Sequence, residues 1–158
     1  MTLKDLIKPQ EGYRGKPYRD TVGKLTIGNG RNVDDVGISE DELAHLGRTL
    51  EDILENGVSE SEADYLLGND IEKAIRECRR VFPWFEELDN VRQAVVVDMV
   101  FNMGLSAFLT FKNTIAMIKV GNYRGAAEHM KASLWHKQVG KRADDLARMM
   151  ETGHAYAG

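Results

Sequence analysis

The sequence has 158 residues, of which 42% are hydrophobic and 29% are charged, and its net charge at pH 7 is −4. This is the length of about one domain and the composition of an ordinary soluble globular protein. The acidic balance argues against a general nucleic-acid binder, and no run approaches the ~20 apolar residues that a membrane-spanning helix needs.

A short N-terminal helix is predicted over residues 3–11. Thr2 and Asp5 form a pattern close to a capping box, an apolar stripe follows, and Gly12 is a natural stop. Glu11 then falls on the last turn, where the helix dipole disfavours a negative charge. A carboxylate in this place is either an exposed surface group or one that serves an ion pair or a function.

A β-hairpin is predicted over residues 18–28, with its turn at Gly23. Side chains alternate along a strand. A turn with an odd number of residues therefore puts Asp20 and Thr26 on the same face of the hairpin, whereas an even number separates them. We predict the odd register. A third short strand is expected over residues 31–33.

Two helices follow, and both begin with the same pattern. Ser39 and Ser59 each precede a glutamate by three positions, which is typical of a capping box. The first helix has an apolar face with Gly47 as a candidate break. The second is predicted over about residues 60–80, roughly 30 Å at 1.5 Å per residue, which is long enough to join two lobes.

The rest of the chain is predicted to be helical. Residues 91–103 are apolar nearly all round except for Asp98, which favours a buried central helix. Cys78, the single cysteine, lies in the long helical pattern; it excludes an internal disulfide and is expected to be a small buried hydrophobe. Shorter helices are expected over 112–120, 123–131 and 142–152.

Several kinds of site can be rejected. The Gly28-Asn29-Gly30 segment begins like a dinucleotide fingerprint, but Val33 replaces the third glycine and no parallel β-α-β pattern follows. A Walker A motif and a Gly-x-Ser-x-Gly elbow are both absent. The four histidines have no metal-ligand spacing with one another or with the cysteine: His45, His129, His136 and His154.

What remains is a pair of carboxylates, Glu11 and Asp20, beside the hydroxyl of Thr26. Hydrolysis of a glycosidic bond needs an acid for the leaving oxygen and a second carboxylate for water activation or nucleophilic attack. A helix end and a hairpin are compatible with the carboxyl separation of either an inverting or a retaining enzyme. The spacing alone is weak evidence, because any acidic protein contains such pairs.

The residues around this pair make the pattern specific. Together they resemble the phage lysozymes, or endolysins, of glycoside hydrolase family 24. The N-terminal part of the resemblance consists of Glu11-Gly12, Tyr18, Asp20, Gly23 and Thr26-Ile27-Gly28-x-Gly30. The C-terminal part consists of Phe101-Asn102-Met103-Gly104, Ala126-Ala127, Ser133-x-Trp135, Arg142-Ala143 and Thr152-Gly153.

The resemblance implies an α+β fold that is mostly α: a lysozyme-like two-lobed domain with a small three-stranded antiparallel sheet and a long interlobe helix. The whole chain, 1–158, would form this single domain. The N-terminal lobe would cover about 12–59 and the interlobe helix about 60–80. The helical C-terminal lobe would cover about 81–158 and include the N-terminal helix 3–11.

The resemblance also implies cleavage, with inversion, of the β-1,4 bond between N-acetylmuramic acid and N-acetylglucosamine in peptidoglycan. Glu11 would be the general acid, and Asp20 and Thr26 would position and activate the water. Supporting residues would be Arg142, which faces the catalytic glutamate, and the glycines Gly28 and Gly30. Substrate contacts would come from Asn32, Phe101, Asn102, Thr114 and His129. No cofactor and no metal is implied.

Some family members carry a histidine at the position of Arg31, where it pairs with an acid on the interlobe helix. An Arg31–Asp70 pair is expected to replace it here. The expected partner is a peptidoglycan glycan strand, with no nucleic acid, no stable membrane association and a monomeric state. Residues 112–158 carry 8 basic against 4 acidic residues, so this section is the one suited to an anionic polymer.

No secretory signal is expected, because Lys4, Asp5 and Lys8 interrupt the first apolar stretch. For a phage protein this predicts accumulation in the host cytoplasm, release through a membrane lesion of the holin type, and lysis of the cell. The alternatives are a lytic transglycosylase, an inactive wall-binding homologue and a helix-turn-helix DNA binder. The acidic charge of residues 1–111 disfavours the last of these.

Overall fold

The computed structural model describes residues 3–7 and 12–155. They form two compact units. The sheet unit comprises residues 12–70, and the helical unit comprises residues 3–7 and 71–155. Most described residues are helical and one small antiparallel sheet is present, so the predicted α+β class is confirmed.

The sheet has three antiparallel strands in sequential order: β1 (Arg14–Arg19), β2 (Leu25–Gly28) and β3 (Arg31–Asn32). Tyr18 pairs with Thr26 and Arg19 with Leu25. The Asp20 N–H then bonds to the Lys24 carbonyl, which leaves a three-residue loop over residues 21–23. The predicted odd register is therefore confirmed.

Two short helices and the beginning of a long one complete the sheet unit: α2 (Glu40–Leu46), α3 (Leu50–Asn56) and α4 (Glu60–Val81). Both predicted capping boxes form, because Ser39 and Ser59 exchange hydrogen bonds with Glu42 and Glu62. Gly47 ends α2 in the left-handed conformation, at φ 67°. The apolar face predicted for one helix is thus divided between α2 and α3.

The apolar core of the sheet unit is small. It is formed by Ile27 of β2, Ile53 of α3, Ala63 of α4 and Val58 in the segment between the two helices, all at most 5% exposed. β2 is thereby packed against α3 and α4, and its register relative to β1 decides which side chains are turned outward.

A buried arginine forms the polar core of the same unit. Arg31 is 5% exposed and binds Glu42 with two parallel hydrogen bonds of 2.8 and 2.7 Å. Its Nε donates to Asp70 at 2.9 Å, so the predicted Arg31–Asp70 pair is confirmed. The carbonyl oxygens of Gly37 and Leu66 accept the remaining donors. All the donors of this guanidinium are satisfied, which a buried charge requires.

The helical unit contains the remainder of α4 and seven further helices among the described residues. They are α1 (Leu3–Ile7), α5 (Asn90–Met103), α6 (Leu105–Phe108), α7 (Lys112–Lys119), α8 (Tyr123–Lys131), α9 (Leu134–Val139) and α10 (Lys141–Thr152), with a 3-10 turn at Phe85–Glu87. The short helices α6 and α9 were not predicted. No described helix has the length and apolar character needed to cross a bilayer.

Helix α5 is the centre of this unit. Its residues are buried without interruption from Gln93 to Val100, as the apolar pattern predicted. Cys78 of α4 is also fully buried, and this burial raises the pKa of its thiol to about 12. A buried thiol that stays protonated contributes to packing and does not act as a nucleophile.

Candidate active site

The hairpin loop is closed around the carboxylate of Asp20. Its Oδ1 accepts the N–H of Val22 at 3.0 Å and that of Lys24 at 2.9 Å. The Asp20 backbone adds two more bonds, from its N–H to the Lys24 carbonyl and from the Gly23 N–H to its own carbonyl. Among the described residues, hydrogen bonds reach this carboxylate only at Oδ1. Oδ2 is therefore the oxygen that can act on a water.

Thr26 lies on β2 opposite Tyr18 and is 3% exposed. Its Oγ1 donates to the Lys24 carbonyl oxygen at 2.9 Å. Because the hydroxyl proton is used in this bond, the lone pairs of Oγ1 face the surroundings as acceptors. Asp20 and Thr26 are thus attached to the two ends of one residue.

Gly28, two positions after Thr26, has a packing role. Gly28 has φ 66°, a region that favours glycine, and a Cβ there would lie 3.0 Å from the Cβ of Ala63. The absent side chain lets the end of β2 approach α4. Gly30 has φ 99° in the turn before β3. At Gly28 the close approach is thus between β2 and α4, and not between the backbone and a ligand.

Asn32 lies opposite Thr26 in the β2–β3 ladder. Its side chain is bonded on both sides to Asp35: Oδ1 accepts the Asp35 N–H at 2.8 Å, and Nδ2 donates to the Asp35 carboxylate at 3.1 Å. The predicted contact between Asn32 and substrate would therefore use a side-chain amide that is already hydrogen-bonded to Asp35.

Glu11 lies outside the described residues, as does the predicted helical segment 8–11. The expected position of Arg142 opposite Glu11 therefore stays a prediction. Arg142 of α10 binds Asp98, which is 1% exposed on α5; Nε donates to Oδ1 at 3.1 Å and Nη2 contacts the same oxygen. Asp98 was not assigned a role from the sequence, although a lone acid in an apolar helix was the signal for it.

The helical unit contains a pocket of about 260 Å³ that brings together two predicted substrate contacts, Thr114 of α7 and His129 of α8. Thr114 is 2% exposed, and no hydrogen bond reaches its hydroxyl from the part of the chain that the structure describes. The pocket is lined by Thr110, Phe111, Lys112, Asn113, Thr114, His129, Ser133, Leu134 and Trp135. A cavity with apolar and aromatic walls and a few hydroxyl, amide and imidazole groups suits a sugar.

Trp135 connects this pocket to a third predicted contact. Its Nε1 donates to Oδ1 of Asn102 at 3.2 Å. Phe101, the neighbour of Asn102 on α5, is half-buried and does not line the pocket. Trp135 was quoted in the family motif but was not assigned to the site from the sequence.

The predicted site residues divide between the two units. Asp20, Thr26, Gly28, Gly30 and Asn32 belong to the sheet unit, and Phe101, Asn102, Thr114, His129 and Arg142 belong to the helical unit. Across residues 3–7 and 12–155, no group of three or more histidine, cysteine or acidic side chains is arranged to hold a metal ion.

Comparisons of the sequence with known proteins find similarity to one family and to several individual proteins. The sequence pattern of the family described as phage lysozyme matches residues 8–151. Two proteins of Dictyostelium discoideum, probable T4-type lysozymes 1 and 2, are 30% and 32% identical to the chain over 96% of its length and 95% of theirs. The pre-baseplate central spike protein Gp5 of Enterobacteria phage T4 is 25% identical over 98% of the chain and 28% of its own length.

Proposed function

This chain belongs to the phage lysozyme family, and we propose that it hydrolyses the β-1,4 bond between N-acetylmuramic acid and N-acetylglucosamine with inversion at the anomeric carbon. Membership of the family makes the protein a lysozyme, a glycoside hydrolase whose substrate is peptidoglycan. We propose, in addition, the particular bond that is cleaved, the stereochemistry of the cleavage and the roles of individual residues.

Glu11 is the proposed general acid, and it protonates the leaving glycosidic oxygen. Asp20 is the proposed base, and it takes a proton from the attacking water. In an inverting reaction these two groups act on opposite faces of the sugar, with room for the water beside the base. Arg142 is proposed to balance the charge of the acid, in addition to the bond that it makes with Asp98.

The observation that carries the proposal is the shared attachment of Asp20 and Thr26 to Lys24. The water would donate one hydrogen to Oδ2 of Asp20 and the other to Oγ1 of Thr26. Both oxygens are acceptors in this arrangement, because Oδ1 is held by loop amides and the Thr26 proton is used in its bond to the Lys24 carbonyl. A lone pair of the water then remains for the anomeric carbon.

The pocket around Thr114 and His129 is proposed to bind part of the glycan strand. Support comes from Thr114, a residue 2% exposed that lines the pocket and whose hydroxyl meets no partner among the described residues. A buried polar group of that kind gains a hydrogen bond when a sugar hydroxyl or acetamido group occupies the pocket. Cutting the glycan strands in this way is proposed to lyse the bacterial cell.

Product analysis tests the proposal. Purified peptidoglycan is digested, and the new ends are followed by NMR at early times and by mass spectrometry. Release of N-acetylmuramic acid reducing ends that are initially in the α configuration is the expected result. Initial β ends would overturn inversion, and 1,6-anhydro ends would identify a lytic transglycosylase. Binding to peptidoglycan without release of fragments would identify an inactive wall-binding protein.

A further inference from the structure

The loop that follows β3 supports the hairpin that carries Asp20. Strand β3 ends at Asn32, which pairs with Thr26, so Leu25 at the start of β2 has no strand partner on the β3 side. The Leu25 carbonyl still accepts the Val33 N–H at 2.8 Å. The Leu25 N–H, however, donates to a side chain, the carboxylate of Asp34, also at 2.8 Å.

This bond fixes a particular peptide group. The carbonyl of Lys24 and the N–H of Leu25 belong to the same planar peptide unit, so one cannot rotate without the other. The Lys24 carbonyl is the group to which the Thr26 hydroxyl and the Asp20 N–H are bonded. Asp34 therefore holds, from the opposite edge, the peptide plane to which the Thr26 side chain and the Asp20 backbone are bonded.

Arg19 adds a second support to the same carboxylate. Its Nη1 donates to Oδ2 of Asp34 at 3.3 Å and to the Gly23 carbonyl at 3.1 Å. The guanidinium thereby joins the tip of the hairpin loop to the oxygen that binds Leu25. Asp34, in the segment after β3, thus binds residues on both sides of the hairpin loop: Arg19 before it and Leu25 after it.

We propose that Asp34 is a positioning residue for the reaction, which acts through the Lys24–Leu25 peptide to hold Asp20 and Thr26 in the geometry that activates water. The inference rests on the proposed function of Asp20. Asp34 itself does not touch substrate in this account, and its effect is on the rate of the chemical step.

The exposure of the supporting pair separates this role from a contribution to global stability. The side chains of Arg19 and Asp34 are 65% and 40% exposed, and ion pairs of that kind add little to folding. Small errors in the placement of a catalytic group, by contrast, are costly in rate. Removal of Asp34 is therefore expected to lower kcat while the unfolding temperature and KM stay close to those of the parent.

The test compares Asp34→Ala, Asp34→Asn and the control Glu55→Ala, which removes an exposed acid on α3 of the same unit. For Asp34→Ala we expect a kcat on peptidoglycan that is about tenfold lower, with KM changed less than about twofold. Amide hydrogen exchange at Val22, Lys24 and Leu25 should become faster. Asp34→Asn should recover most of the rate, because its amide oxygen can still accept the Leu25 N–H. Glu55→Ala should match the parent.

Asp20→Asn is measured in the same assay, so that two failures can be told apart. If Asp20→Asn keeps full activity, the proposed function of Asp20 is wrong. If Asp20→Asn is inactive while Asp34→Ala keeps the parent kcat and the parent exchange rates, only the positioning role is overturned. If Asp34→Ala does not fold, Arg19→Ala decides: about threefold lower kcat with faster exchange at Val22 supports the role, and unchanged values overturn it.

Discussion

Asp20 and Thr26 are bonded to opposite ends of one residue: Oδ1 of Asp20 accepts the Lys24 N–H, and Oγ1 of Thr26 donates to the Lys24 carbonyl, each at 2.9 Å. The relative position of a carboxylate and a hydroxyl is thus set by a single backbone unit and not by two flexible side chains. The proposed catalytic pair is consequently preorganised before any substrate binds.

Replacing Asp20 should separate catalysis from loop structure. An asparagine retains an oxygen for the Val22 and Lys24 amides but cannot accept the proton of the water. We expect Asp20→Asn to lower kcat by at least about 100-fold with little change in stability. Asp20→Ala should lose the same activity and about 1 kcal/mol of unfolding free energy in addition, since two amides lose their partner. Steady-state kinetics and urea unfolding measure both, and an active Asp20→Asn would contradict the base assignment.

Thr26 offers a matched pair of substitutions. Thr26→Ser keeps the hydroxyl, whereas Thr26→Val keeps the shape and removes it. The loss of one hydrogen bond to the water, about 1.4 kcal/mol, should lower kcat of Thr26→Val about tenfold. Thr26→Ser should stay within about threefold of the parent. Equal rates in the two variants would show that the hydroxyl has no part in the reaction.

His129 should affect binding more than chemistry. It lines the pocket beside Thr114 but is not a proposed acid or base. Removal of one hydrogen-bonding group from this pocket should raise KM by about threefold to tenfold with kcat nearly unchanged in His129→Ala. His154→Ala is the control, because His154 is exposed beyond the end of α10. A KM for His129→Ala that matches the control would remove His129 from the substrate contacts.

The buried Arg31–Glu42 pair should make stability sensitive to acid. The hydrogen bonds from Arg31 lower the pKa of Glu42 from 4.5 to about 2. A carboxyl whose pKa is lowered by folding stabilises the folded state at any pH above its pKa in the unfolded chain. That contribution is lost as the pH falls from about 4.5 towards 2. The size of the effect is about 3 kcal/mol. Asp52, whose pKa the hydrogen bond from Arg48 lowers to about 2, acts in the same direction.

Urea unfolding at pH 7 and at pH 3 checks this. Glu42→Gln should be less stable than the parent at pH 7 and should lose less stability on acidification. Asp41→Asn is the control, since Asp41 is an exposed acid one position away on α2. A Glu42→Gln variant with the parent's pH dependence would show that Glu42 is not the group responsible.

Two glycines with positive φ should respond differently to alanine. Gly57 has φ 78°, and a Cβ there would lie 2.3 Å from the carbonyl oxygen of Gly15, so strand and helix would have to separate. We expect Gly57→Ala to cost more than about 3 kcal/mol. Gly47 has φ 67° with nothing within 4 Å, and Gly47→Ala should cost about 1 kcal/mol from backbone strain alone. Thermal unfolding compares them, and equal losses would mean that the contact with Gly15 has no effect.

Local patterns in the sequence were enough to predict much of the structure of the sheet unit. Gly23 indicated the turn of the hairpin, for which the odd register was chosen over the even one. The Ser39 and Ser59 capping boxes followed from spacing within four residues. These features depend on neighbours in the chain. The helices α6 and α9 were missed because they have four and six residues, too few to show a helical period.

The features that were not predicted depend on distant contacts. The sequence identified Asp70 as a partner of Arg31, but the stronger partner is Glu42, which had been explained completely as a capping residue. Asp34 was assigned no role from the sequence, because nothing in the sequence shows that β3 ends early enough to leave the Leu25 N–H to a side chain. The predicted role of Glu11 rests on the family resemblance.

The position of Trp135 in the wall of the pocket gives the protein an optical reporter. The chain has two tryptophans. Trp84 is stacked on Phe82 with ring centroids 4.7 Å apart, whereas Trp135 lines the pocket that contains Thr114 and His129. A sugar that enters this pocket changes the polarity around one indole and leaves the other in place. Intrinsic fluorescence can therefore test the proposed binding of glycan in this pocket without any label, and Trp84→Phe isolates the signal of the indole in the pocket.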